Sequence, residues 1–351
     1  MKIGILTFHW CYNYGAIIQA WALQTYLSSC GHEVFVINYE PTRSRLPWWT
    51  VSLRQHSLRR LARDIHFHSF RRYRLCETIE VLSVTDIAEL ALDAVIVGSD
   101  QVWNIKYLTW PSGKYNDVYF LHGDLGKTKK LTYAASIGHG GWRDYRWKED
   151  LLSDIRDFDA ISVRETVARD ELAAFDVNSI LVPDPTLLLD SKDYDEITQP
   201  INVEKSYIFA YLLSEYDKVR PMVDRARLET HKDAYMVAPS RLQDSTFGML
   251  APGKWLSAIR HSSFVITDSF HGTALSVIFN IPFATILKPG MTMMNGRVTG
   301  LLNAVRLDNR IVSSASDIVT LMNEPIKWDA VNGRLDRMRA RGCSWLAENL
   351  R

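Results

Sequence analysis

Residues 264–279 read Phe-Val-Ile-Thr-Asp-Ser-Phe-His-Gly-Thr-Ala-Leu-Ser-Val-Ile-Phe. Four apolar or β-branched residues make a short strand, Asp268 to Gly272 a tight connection, and an apolar-periodic run then starts a helix. His271 therefore falls between a strand end and a helix N-terminus, where open α/β sheets bind ligands. Free N–H groups and the positive end of the dipole suit a phosphate or carboxylate, which makes Gly272 and Thr273 candidates to hold one. An imidazole at that point can move protons near neutral pH. A core histidine bonded to a carbonyl fits the same spacing.

Other turns repeat the pattern. Thr7-Phe-His-Trp-Cys-Tyr-Asn-Tyr-Gly15 follows the first strand. There His9, Asn13 and Tyr14 can contact a polar substrate, and Gly15 lets a ligand approach the backbone. Asn13 also suits a plain helix cap. The run lacks the GxGxxG fingerprint, so no dinucleotide is expected. Gly98-Ser-Asp-Gln-Val-Trp-Asn104 follows an apolar strand. Asp100 can accept from sugar hydroxyls and Trp103 can stack on a pyranose, unless Trp103 belongs to the core. Arg164 ends the run Ala160-Ile-Ser-Val-Arg and offers a fork for carboxylate or phosphate. An ion pair with Asp184 is compatible with that role. Arg297, in Asn295-Gly-Arg after a Lys-Pro-Gly-Met-Thr-Met-Met segment read as a lid, is a second anion-clamp candidate or, equally, a salt-bridge partner. No metal site is expected, since His66 and His68 lack a carboxylate cluster, and neither GxSxG nor Walker A occurs.

The elements that must position these residues alternate along 351 residues, 47% of them hydrophobic. Strands are expected at 2–8, 33–38, 94–98, 131–136, 160–163, 206–212, 234–238, 264–267 and 282–287. Helices are expected at 14–29, 147–157, 166–175, 216–229, 254–261 and after 327. Such alternation argues for parallel sheets covered on both faces. Val182-Pro-Asp-Pro185 breaks regular structure. The expected division is 1–185, a Rossmann-like domain with an Arg-rich helical insertion at 43–75; 186–325, a second such domain; and a helix over 326–351. The two doubly wound domains are expected to face a central cleft, with the last helix crossing back.

A net charge of +1 gives no global pull on nucleic acid. Locally, Arg43, Arg45, Arg54, Arg59, Arg60, Arg63, Arg71, Arg72 and Arg74 stand against Asp64, with Trp48, Trp49, Phe67, Phe70 and Tyr73 among them. That mixture suits an anionic membrane surface, a solvated insertion paired with acids elsewhere, or nucleic acid. Four scattered cysteines, no secretory leader pattern and no long apolar run lead to the expectation of a cytoplasmic protein, peripheral at the inner face of the membrane.

Several of these motifs together resemble the polysaccharide pyruvyl transferase family. They are Phe8-His9 through Ala16 with Gln19-Ala20 and Ala22-Leu-Gln24, Gly98 to Asn104, Ala134-Ala-Ser-Ile-Gly138, Ile161-Ser-Val-Arg-Glu165, Val182-Pro-Asp-Pro-Thr186, Thr267-Asp-Ser-Phe-His-Gly272 and Asn295-Gly-Arg297. The resemblance runs in order from residue 3 to about 310. It implies a GT-B-like fold and transfer of pyruvate from phosphoenolpyruvate, as a co-substrate with no cofactor. Pyruvate would become a ketal on two hydroxyls of a lipid-linked or polymeric sugar such as galactose or N-acetylmannosamine, in cell-surface polysaccharide synthesis. His271 is then the acid or base; Arg164, Ser269, Gly272, Thr273 and Arg297 meet the donor; His9, Asn13, Tyr14, Gly15, Asp100 and Trp103 meet the acceptor. Ser269 stands where much of the family carries arginine, so one anion contact must come from Arg164 or Arg297. A GT-B glycosyltransferase with a nucleotide-sugar donor is the alternative, and a non-catalytic glycan-binding protein a further one.

Overall fold

The computed structural model describes residues 1–41, 58–106, 109, 113–138, 141–203, 206–241, 245–246 and 249–351, with backbone alone for 58–60 and 292–294. By compactness the chain forms two units. One comprises Met1–Arg45, Arg71–Leu189 and Arg337–Arg351, the other Leu46–Phe70 and Asp190–Asp336. Each is built on a parallel sheet.

The first sheet has five strands: β1 (Lys2–Leu6), β2 (Glu33–Asn38), β3 (Glu77–Glu80), β4 (Ala94–Val97) and β5 (Lys129–Thr132). Their order is β3-β2-β1-β4-β5, all parallel. The apolar runs are buried on both sides, as parallel sheets require. Ile3, Ile5, Ala94 and Ile96 face one layer with Leu23, Leu27, Trp345 and Leu346, while Leu6, Val95 and Val97 face the other with Trp103 and Trp142. Helix α1 (Tyr14–Ser29) is buried on nearly every side rather than along one face. The expected strand at 131–136 stops at Thr132 because Ala134 takes φ +56, which ends an extended run. A second pair, β6 (Ser162–Val163) and β7 (Ile180–Leu181), continues the parallel arrangement.

Helix α2 (Leu58–Arg74) is the described part of the Arg-rich stretch. Residues 43–57, with Arg43, Arg45, Arg54, Trp48 and Trp49, lie outside the described residues. Arg63 pairs with Asp64 at 2.7 Å, and Arg71 reaches Glu40 at 2.8 Å and Glu77 at 2.7 Å. Arg72 and Tyr73 are exposed. The short helix α3 (Val84–Glu89) carries a Ser83–Asp86 capping box. Helices α4 (Lys148–Arg156) and α5 (Thr166–Ala173) complete this half.

The second sheet contains β8 (Ile208–Tyr211), β9 (Ala234–Val237), β10 (Phe264–Thr267) and β11 (Phe283–Thr285) in the order β11-β10-β8-β9. Alternate residues Ile208, Ala210, Phe264 and Ile266 bury against Val219, Val223 and Ala226 of α6 (Tyr216–Thr230). Helices α7 (Pro252–Arg260) and α8 (Phe270–Ile278) follow the sequence expectation closely. Of the segment read as a lid, 288–294, residues 288–291 lie outside the helices and 292–294 open one. Residues 292–305 form α9 (Thr292–Val305), because Val298, Leu301, Leu302 and Val305 recur at helical spacing and are buried. Helices α10 (Ala315–Asn323) and α11 (Trp328–Asn349) close the chain, and Trp345 and Leu346 of α11 enter the core of the first unit. Among the described residues no helix is long and apolar enough to cross a membrane.

Candidate functional site

Strand order locates the place where each sheet can bind a ligand. In the first sheet the chain winds one way from β1 through β2 to β3 and the other way through β4 to β5. The loops after β1 and β4 therefore diverge at a topological switch point. In the second sheet the loops after β8 and β10 diverge in the same way. The expected sites at 7–15, 98–104 and 268–273 all follow strands at these two points.

In the second unit, Ser269 has φ −104 and ψ 135 and caps α8, its Oγ accepting the Gly272 N–H at 3.4 Å. Ser269 is thus a local cap rather than an outward contact, and it is buried. Gly272 is required by close packing, since a Cβ there would stand 2.5 Å from Thr267 Oγ1. Thr273, expected to hold donor phosphate, is a core residue: its Oγ1 donates to Ser269 O at 3.0 Å and shares a bond with Thr285 Oγ1 at 2.8 Å. His271 lies in the first turn and is 7% exposed. Phe270 stacks edge-on against its ring, and the Arg297 guanidinium lies 5.8 Å from the Phe270 ring. Arg297, on α9, is therefore beside the start of α8.

Sequence reasoning missed two charged residues here. Asp268, buried, accepts from Leu213 N at 2.6 Å, Ser214 N at 2.7 Å, Glu215 N at 2.9 Å and Ser214 Oγ at 3.1 Å. It locks the β8 loop to the β10 loop across the switch point. Lys288 follows β11 on the same edge. Asn295 holds its backbone reciprocally, accepting Lys288 N–H at 3.0 Å and donating to Lys288 O at 2.8 Å. Burial pushes the Lys288 ammonium below the usual lysine range; Arg297 adds to this, while Asp268 and Glu215 oppose it. The signal for Lys288 was its position just past a strand and before Pro-Gly, the same rule that singled out His271.

In the first unit, Arg164 does not offer an open fork. Its guanidinium is 1% exposed and meets Asp184 at 2.8 Å, Ser99 Oγ at 2.9 Å, Asp100 at 3.3 Å and Glu165 at 3.5 Å. Burial opposes its charge, but Asp184, Glu165 and Asp100 outweigh burial and keep it protonated. Three carboxylates around one cation leave a negative cluster, which repels a further anion. The sequence expectation of a donor clamp at Arg164 is corrected to an internal hub. Asp184 caps the turn at 185–188 through Thr186, so the Pro-Asp-Pro break exists to place this carboxylate.

Asp100 adopts φ +73, a conformation L-residues rarely hold without support, and Arg164 supplies that support. Gly138, at φ +72, packs against this loop, where a Cβ would fall 2.3 Å from Asn104 Nδ2. Trp103 is fully buried, donates from Nε1 to Tyr119 O at 3.1 Å and stacks on Phe120 at 5.8 Å. It is a core residue, not a sugar platform. Tyr14 and Gly15 are also buried within α1, and Asn13 caps that helix by accepting from Gly15 N at 2.9 Å and Ala16 N at 3.3 Å. Tyr14 and Gly15 are enclosed by the fold, and half-buried Asn13 gives its Oδ1 to the helix.

His9 is buried, with Nδ1 3.1 Å from Thr7 O and Nε2 3.9 Å from Glu77 Oε1. Burial pushes its pKa below 6.5, as does Arg71, against Glu77 and Glu40. It is a neutral imidazole beside the Arg71–Glu77–Glu40 cluster. Cys11, on the same loop, is pushed up to about 12 by burial and Asp100, so it is no thiolate nucleophile. Among the described residues no cluster of His, Cys, Asp and Glu is fit for a metal ion.

The family model for polysaccharide pyruvyl transferase matches residues 13–287. The chain belongs to the polysaccharide pyruvyl transferase family. That match takes in β2 to β11, leaving β1 and Arg297 outside it. No curated protein matches the sequence. Among solved structures, the UDP-GlcNAc 2-epimerase from Methanocaldococcus jannaschii has TM-score 0.55 at 10% identity, covering 98% of this chain and 100% of that one. A putative UDP-N-acetylglucosamine 2-epimerase from Listeria monocytogenes has TM-score 0.54 at 12% identity, covering 99% and 97%. The UDP-GlcNAc 2-epimerase from Neisseria meningitidis has TM-score 0.52 at 8% identity, covering 100% and 99%. At such identity the likeness is one of fold: the family member described here is an α/β protein of GT-B-like architecture.

Proposed function

We propose that this family member transfers pyruvate from phosphoenolpyruvate to two hydroxyls of a sugar in a cell-surface glycan precursor, forming a cyclic ketal. The observation that carries the reading is the edge of the second sheet, where His271 in the first turn of α8 lies with Lys288 and Arg297 nearby. Two cations and a helix N-terminus suit a small ligand with carboxylate and phosphate groups. Phosphoenolpyruvate has both.

The reaction needs a proton on C3, which gives C2 oxocarbenium character. A sugar hydroxyl attacks C2 and loses its proton; the bond from C2 to the phosphate oxygen breaks, and a second hydroxyl attacks C2 to close the ring, its proton leaving with the phosphate. His271 is the group suited to moving these protons. Lys288 and Arg297 neutralise the donor, and Asp268 holds the neighbouring loop. Within the first unit, Asp100, held by Arg164, is a carboxylate suited to accepting from sugar hydroxyls. We further propose that the acceptor is lipid-linked and met at the inner face of the membrane. The exposed Arg72 and Tyr73 of α2 support contact with anionic lipid.

The test is incubation with phosphoenolpyruvate and candidate glycolipids. Acceptor-dependent phosphate release and a product heavier by one pyruvate ketal are expected. Stabilisation by nucleotide sugars with none by phosphoenolpyruvate would instead mark a nucleotide-sugar transferase. Flotation with anionic liposomes should be salt-sensitive; no association at low salt would remove the membrane part.

A further inference from the structure

With Trp103 in the core, the first unit still carries an aromatic surface at its switch point. The loop after β1 alternates its side chains: His9 is buried, while Trp10 is half-buried and Tyr12 is 38% exposed. The Trp10 ring is held from behind. Its Nε1–H donates to Tyr119 Oη at 3.3 Å, and Phe8 lies 5.8 Å away, tilted by 56°. Phe8 and Tyr39 each meet the Tyr119 ring edge-on at 5.4 Å, and Tyr39 Oη donates to Asn116 at 3.0 Å. Burial drives the Tyr119 phenol well above its ordinary pKa, so it remains neutral. A large aromatic ring on a loop is thus held by one hydrogen bond and one ring contact, with buried Tyr119, Tyr39 and Asn116 behind them. The half-buried ring sits at the margin of the first unit's core, against Phe8 and Tyr119.

We infer that Trp10 is the stacking platform for the acceptor pyranose, with Asp100 on the adjoining loop accepting from its hydroxyls. The two loops are neighbours: Thr7 Oγ1 donates to Ser99 O at 2.7 Å, and Asp100 acts on the Cys11 thiol. One face of a pyranose is a patch of C–H groups and its rim is hydroxyls. The negative face of an indole attracts the first and a carboxylate accepts from the second. A platform fixed before binding loses little entropy when the ligand arrives. This inference rests on the pyruvyl-transfer reading for its choice of ligand.

The probes are methyl β-D-galactopyranoside and N-acetylmannosamine, followed by saturation-transfer and indole N–H NMR on the full chain. One probe should receive saturation on its ring C–H protons and shift the Trp10 Nε1–H resonance, assigned through Trp10→Phe. Trp10→Leu should weaken that probe by about 5- to 100-fold, the scale of one lost stacking contact. Trp10→Phe, which keeps a π face, should stay within about 3-fold of wild type. Failure of both sugars to bind, an unmoved Trp10 resonance in wild type, or a folded Trp10→Leu with unchanged affinity each overturns the platform. The wild-type resonance answers even if Trp10→Leu does not fold. Sugar binding without phosphate release from phosphoenolpyruvate would sink the reaction and leave the platform standing.

Discussion

Asp268→Asn isolates what holds the second unit's switch point together. The carboxylate divides its work: Oδ2 accepts from Ser214 N, Glu215 N and Ser214 Oγ, and Oδ1 from Leu213 N. An asparagine can keep its oxygen toward the first three donors. Its NH₂ group then meets Leu213 N–H, donor against donor. One hydrogen bond to a charged group is worth ~1.5–3 kcal/mol, and an unsatisfied donor adds ~1–3 kcal/mol when buried, toward the lower end for the half-buried Leu213 N–H. The expected loss is about 3–5 kcal/mol, which at about 2–4 °C per kcal/mol lowers the melting temperature of this unit by about 6–20 °C. Differential scanning calorimetry reads it directly. The substitution also removes the charge that opposes the downward push on Lys288. The alkaline limb of kcat/KM for the proposed donor, phosphoenolpyruvate, should therefore move to lower pH, because the ammonium proposed to bind it is lost sooner as pH rises. A melting temperature within about 2 °C of wild type would refute the loop-locking argument. An unmoved alkaline limb in a folded variant would refute the coupling to Lys288.

Three further outcomes follow from the same geometry. His271→Ala should lower kcat by roughly 10²–10⁴-fold in the phosphate-release assay, and near wild-type turnover would leave His271 a structural residue. His9 should make the fold acid-sensitive. Above pH 6.5 both folded and unfolded imidazoles are neutral; below it the unfolded state takes a proton that burial denies the folded one, so stability falls as pH drops from 6.5 toward the lowered folded value. A His9→Gln variant with the same melting-temperature slope as wild type between about pH 7.5 and 5.5 would count against this. Arg164→Lys keeps the charge but cannot bridge Asp184, Ser99 and Asp100 together. It should cost about 1–3 kcal/mol in urea unfolding and raise KM for acceptor more than for donor, whereas a donor-only KM effect would restore the clamp reading.

Much of this protein follows from local sequence alone. Alternating apolar segments specify parallel strands and covering helices, and the turn after each strand marks where ligands bind, because side chains there leave the sheet at its C-terminal edge. The place of His271, in the first turn of a helix just past a strand, was legible in this way, and Lys288 follows the same rule. What each turn residue does was not legible. Arg164, Trp103 and Thr273 have the chemistry of binding groups, yet Asp184, Phe120 and Thr285, all distant in sequence or on other elements, claim their polar or aromatic faces. Asn13 and Ser269 spend their oxygens on the helices they begin. The left-handed backbone at Asp100 depends on Arg164, 64 residues away, and the exposure of Trp10 on Tyr119, 109 residues away. Periodicity is a property of neighbours along the chain and can be read from one segment. Burial, charge pairing and the direction a ring faces depend on which segments meet, and only the tertiary structure decides that.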